Sequence, residues 1–144
     1  MKSVRLPIAI VVTALLLFSL SSILITPLDT LKAAVADHVV ISEVQVAGGT
    51  SVDDEFVELY NPTGSSVDLT GWRLTRKTST GTESNLVVSL SGSIPAQGYF
   101  LMAHPAYDGT VVEDMTYSAT TSALAVDNSV VLYSDAGTTV VDLV

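Results

Sequence analysis

Residues 54–72 read Asp-Glu-Phe-Val-Glu-Leu-Tyr-Asn-Pro-Thr-Gly-Ser-Ser-Val-Asp-Leu-Thr-Gly-Trp. Glu55–Tyr60 alternates, which predicts a half-buried strand. Val57 and Leu59 share the core face, and Phe56, Glu58 and Tyr60 share the other. Asn61-Pro62-Thr63-Gly64 predicts a turn, because proline fixes φ and glycine accepts a positive one. Val67-Asp68-Leu69 is a short strand. Gly71 lets the chain bend before Trp72–Arg76, where the single tryptophan, Trp72, and Leu74 are expected to point inward together. Val57, Leu59, Trp72 and Leu74 are the predicted structural core.

The same grammar extends both ways. Val39–Val46 is β-branched and alternates in its second half, so it reads as a first strand closed by Gly48-Gly49. Thr78–Ser84 is a polar hairpin loop before a strand over Leu86–Leu90. Pro95-Ala96-Gln97-Gly98 is a tight turn into Tyr99–Met102, whose continuous apolarity predicts a fully buried strand. Val111–Tyr117 is a weaker strand, followed by a Ser/Thr loop. Ser129–Tyr133 and Thr139–Leu143 form a closing hairpin across Asp135-Ala136-Gly137. No stretch after His38 holds a helical period for three turns. The predicted class is all-β: an immunoglobulin-like antiparallel sandwich of about eight or nine short strands.

The first 36 residues differ. Lys2 and Arg5 begin them, Leu6–Leu28 carries no charge, and Ala33-Ala34-Val35-Ala36 offers small residues for cleavage before Asp37. This predicts a hydrophobic helix over residues 1–36, acting as a signal peptide or an uncleaved membrane anchor, and a domain over 37–144. The apolar run is longer than a usual signal core and nearly long enough to span a bilayer. In either case the basic start favours a cytoplasmic N-terminus and an exported domain. Localisation is expected to be extracellular or in the cell envelope. The chain has no cysteine, so an exported domain must rest on packing alone.

Without the leader's Lys2, Arg5, Lys32 and Asp29, the 6 basic residues fall to 3 and the 15 acidic residues to 14, a net charge of −11. That field repels nucleic acid and attracts cations or basic partners.

Five segments together resemble the lamin-tail domain family: Ile41-Ser42-Glu43-Val44, Glu55–Pro62, Val67–Trp72, Ile94–Phe100 and the closing Ser129–Val144. The resemblance spans His38 to the end. It implies an immunoglobulin-like module for interaction rather than catalysis. Bacterial and archaeal relatives are typically exported, often fused to nucleases, phosphoesterases or other hydrolases, where the module looks like a surface tether or adaptor. Within these 144 residues neither a coiled-coil rod nor an enzyme domain is expected. The nucleic-acid binding sometimes attributed to the family conflicts with the acidic surface. The partner implied is a protein or envelope component at the cell surface.

Three constellations are candidate sites. Asp53, Asp54 and Glu55, with Glu58 nearby, could offer carboxylate oxygens to calcium, or could be a solvated loop tip. Arg73, Arg76 and Lys77 are the only bases after the leader. Arg73 and Lys77 fall opposite Trp72 and Leu74 and are expected to reach solvent, as a contact patch for an anionic partner or as partners of neighbouring acids. The tyrosines raise a glycan reading, although Phe56, Tyr60 and Tyr99 also fit as cross-strand packing partners. Two distant histidines make a poor zinc site, and no Gly-x-Ser-x-Gly elbow or phosphate loop occurs. No catalytic residue and no cofactor are assigned. The expectation is a non-enzymatic adaptor, with a calcium- or glycan-dependent binding sandwich as the alternative.

Overall fold

The computed structural model describes residues 35–49, 51–118 and 123–144. The leader helix expected over residues 1–36 falls almost wholly outside them. Among the described residues ten strands occur: β1 Val40–Gln45, β2 Phe56–Tyr60, β3 Val67–Asp68, β4 Arg73–Lys77, β5 Glu83–Val87, β6 Ser93–Ile94, β7 Tyr99–Ala103, β8 Met115–Thr116, β9 Ser129–Tyr133 and β10 Val140–Leu143. They form two four-stranded sheets, ordered β1-β2-β7-β8 and β10-β9-β4-β5, and a β3-β6 ribbon. The all-β expectation holds, with ten strands rather than eight or nine. One pairing departs from it, because β8 lies parallel to β7.

Alternation sets the inner faces. Val57 and Leu59 of β2 are fully buried, as are Leu74 of β4 and Leu132 of β9. Phe100 and Met102 of β7, Leu86 of β5 and Val130 of β9 join them in one cluster, which the ribbon supplements with Ile94. Each such side chain contributes about 1.5–3 kcal/mol on leaving water. Trp72 is only partly buried. It precedes β4 and packs against the cluster's margin. Gly71, at φ 82°, makes the bend before it, and the Trp72 amide donates to the Leu69 carbonyl at 2.9 Å.

Three boundaries moved. Tyr99 opens β7 exposed rather than buried. The strand expected at Leu86–Leu90 starts at Glu83 and ends at Val87, because Glu83–Asn85 pair with Lys77–Thr75. Of Val111–Tyr117, only Met115–Thr116 is strand; Asp114 bonds to Leu101 instead, through its amide (2.9 Å) and its carboxylate (2.8 Å).

The outermost strands of the two sheets meet at one side. β1 carries a register shift between Ile41 and Glu43. Just there the Ile41 amide donates to Asp142 Oδ2 on β10 at 2.7 Å. A strand edge otherwise presents bare amides, and a bulge plus a bound carboxylate blunts it.

Candidate functional site

The two ends of β2 hold the polar groups of most interest. At its start, the acidic stretch is divided. Glu55 is fully buried rather than at a solvated tip. Its Oε2 accepts from the Leu124 amide at 2.9 Å, and its carbonyl accepts from the His104 amide at 2.9 Å. Desolvation pushes the Glu55 carboxyl above its ordinary range, with the Leu124 amide and the charges of His104 and Arg76 opposing. Asp54 is also buried, and its Oδ1 accepts from the Asp108 amide at 3.2 Å. Asp53 is half-buried, with its amide bonded to Ser51 Oγ at 3.1 Å. Asp54 and Glu55 thus hold separate loops through backbone amides. Neither amide partner lies near in sequence, so the spacing of the acids gave no sign of it.

Tyr117 packs edge-on to His104, with centroids 6.1 Å apart. Its phenol is pushed up by burial and by Glu55.

The three bases do not share a face. Arg73 is largely covered instead of reaching solvent. Its guanidinium sits over the Tyr133 ring, 4.3 Å from carbon to centroid. It pairs with Glu83 at 3.1 Å and donates to Asn85 Oδ1 (3.3 Å) and the Gly137 carbonyl (2.9 Å). Tyr133 stands opposite Arg73 in the β4–β9 register, so the partner comes from a strand far along the chain. Arg76 lies on the Leu74 side of β4 and donates to Asn128 Oδ1 at 3.1 Å. Lys77 alone is exposed.

The aromatic residues of the outer face of β2 form two pairs. Phe56 meets Tyr107 edge-on, with centroids 5.8 Å apart. Tyr60 and Tyr99 are direct cross-strand partners. Their ring centroids lie 4.8 Å apart, with planes 32° from parallel. Between the pairs, Glu58 takes a 2.6 Å bond from Ser42 Oγ. Sequence reading foresaw the packing of Tyr60 and Tyr99, but not that Tyr99 would be 59% exposed.

At the far end of β2, Asn61 is fully buried. Its Nδ2 donates to the carbonyls of Ser65, Ile94 and Pro95 at 2.8, 3.2 and 3.0 Å. Its Oδ1 accepts from the Thr63 amide (3.0 Å) and hydroxyl (2.7 Å). The Asn61 amide reaches the Gly98 carbonyl at 3.0 Å. One side chain therefore joins the 61–66 turn to the 95–98 turn. The positive φ expected at Gly64 is absent; the asparagine closes the turn in its place. In the second turn the left-handed residue is Gln97, at φ 55°.

A separate groove of about 240 Å³ lies along Ile41–Val44 and Val144, at the β1 bulge.

Two sheets lie around one core, with β2 interior to the first. Residues 32–144 match the model of the Lamin Tail Domain. The chain belongs to the lamin tail domain family. Compared with curated proteins, the chain shows no match. The family is an immunoglobulin-like module without catalytic character, and the segments Ile41–Val44, Glu55–Pro62 and Val67–Trp72 all fall within the matched stretch.

Proposed function

We propose that this lamin tail domain is a non-enzymatic interaction module, exported to the cell surface or envelope, where it acts as an adaptor. Family membership over residues 32–144 carries the reading. The geometry supports it, because three of the charged groups singled out as candidate sites are engaged in holding the fold. Glu55 holds Leu124, Asp54 holds Asp108, and Arg73 is engaged by Tyr133, Glu83, Asn85 and Gly137. What remains for a partner is a stiff frame with exposed side chains, which is the equipment of a binding module. The acidic surplus steers it away from nucleic acid. The leader reading adds export, by cleavage after Ala36 or by retention as a single-span anchor.

The test is fractionation of cells producing the full chain, followed by intact mass and by crosslinking of the envelope fraction. Envelope or medium localisation, with a discrete crosslinked partner, is expected. A cytoplasmic chain without a partner overturns the reading.

A further inference from the structure

The exposed Tyr99 ring stacks on the half-buried Tyr60 ring, and along the chain this aromatic pair adjoins two turns of unusual character. The turns, residues 61–66 and 95–98, read Asn-Pro-Thr-Gly-Ser-Ser and Pro-Ala-Gln-Gly, without a charged side chain. They belong to a domain with fourteen acids among residues 37–144. Their exposed or half-buried polar side chains are hydroxyls and a carboxamide: Thr63, Ser65, Ser66 and Gln97. Asn61 fixes the turns to each other, so the surface is organised before any ligand arrives.

Gln97 adds a second argument. A non-glycine residue at φ 55° is strained. Glycine would suit that position better, and among the described residues the exposed Gln97 carboxamide makes no hydrogen bond. Backbone strain kept at a surface points to use of the side chain.

We propose that Tyr60, Tyr99 and the joined turns form a binding site for a neutral polysaccharide. A tyrosine ring offers a negative π-face. The C–H-rich face of a sugar ring matches it, while sugar hydroxyls find the Gln97 carboxamide and the Ser65 hydroxyl at the border; the Thr63 hydroxyl is already engaged by Asn61 and the Ser65 carbonyl. An uncharged ligand fits an uncharged patch, whereas a polyanionic glycan meets the field of the surrounding acids. The inference rests on the adaptor reading and gives it a ligand class.

The experiment is affinity electrophoresis of the full chain in gels holding neutral β-glucan, xylan or mannan. A polyuronate gel and a proline-rich peptide are the comparison arms. Retardation by at least one neutral polymer, and by neither comparison, is expected. Tyr99→Ala should weaken retardation by about tenfold or more, while Tyr99→Phe keeps most of it. Tyr107→Ala should leave it unchanged. Gln97→Gly is the sharper variant: it should raise the melting temperature and weaken binding together. No neutral polymer bound, preferential binding of the peptide or polyuronate, or Tyr99→Ala behaving as wild type would overturn the proposal. Envelope crosslinking by a wild-type chain that no neutral polymer retards sinks the sugar site and spares the adaptor.

Discussion

The Arg73 guanidinium lies over the ring of Tyr133, and the two side chains share one carboxylate. Arg73 Nη2 is 3.1 Å from Glu83 Oε1, and the Tyr133 hydroxyl donates to Glu83 Oε2 at 3.1 Å. Each Glu83 oxygen thus serves a different partner, across three neighbouring strands. A lysine cannot reproduce this, since it lacks the planar fork. Arg73→Lys should cost about 1–2 kcal/mol in urea unfolding. A double-mutant cycle with Glu83→Gln should give coupling of about 0.5–1 kcal/mol, reduced at high salt because the pair is partly open to solvent. Additive single effects would show the contact to be incidental.

Asn61 is the least replaceable side chain at its end of the sandwich. Two amide hydrogens serve three carbonyls, so one is shared, and none of those carbonyls sees the partner it needs once Nδ2 is gone. Asn61→Ala should cost about 2–4 kcal/mol. Asn61→Asp should be worse at neutral pH, because it sets a carboxylate oxygen against carbonyl oxygens. Chemical denaturation of both variants checks the order.

Glu55 makes stability depend on pH in a defined direction. Its carboxyl is raised above the ordinary value of 4.5 by burial, so the folded chain holds that proton more tightly than the unfolded one. Its contribution is complete below 4.5 and is lost as pH rises through the folded value. Asp68 and Asp135 act in the opposite sense. Hydroxyls of Thr70 and Thr139 lower them, so their contribution is lost only as pH falls below 3.8. Glu55→Gln keeps an acceptor for the Leu124 amide but carries no titration. Melting curves between roughly pH 5 and 8 should be flatter for the variant, with the largest gain over wild type at the alkaline end. Parallel curves would show that Glu55 is charged throughout.

Trp72 sits at the margin of the core rather than inside a strand. Full truncation of a core aromatic costs about 3–5 kcal/mol, and a partly covered indole should lie lower, at about 2–3. Thermal melting of Trp72→Ala measures it. A change near zero would make the indole a surface feature instead.

Alternation made β2 legible, because Val57 and Leu59 obey a period of two and nothing interrupts it. Tyr99 misled for the reason that strands buried on both faces are hard to tell from strands with a bare end. The run Tyr99–Met102 is apolar throughout, but the ring of Tyr99 stacks on Tyr60 at the outer face and stays largely exposed. Glu55 misled more deeply. The two residues before it in sequence are acids, while its partner is the amide of Leu124, supplied by a connection far along the chain. Arg73 shows the same limit. Its facing was readable from the strand period, whereas the ring above it depends on which strand lies next to β4. The strand pattern groups Phe56, Tyr60 and Tyr99 as cross-strand packing partners, which holds for Tyr60 with Tyr99, whereas Phe56 meets Tyr107. The turns beside them were read as punctuation, and their union through Asn61 left no local signature.

The bond from the Ile41 amide to Asp142 joins positions 101 apart. A ribosome delivers the first long before the second. For most of synthesis, then, the opening strand waits with an unclasped border, and borders of that kind recruit copies of themselves. Stalled or clipped chains that never deliver Asp142 are where clumping of this protein should begin.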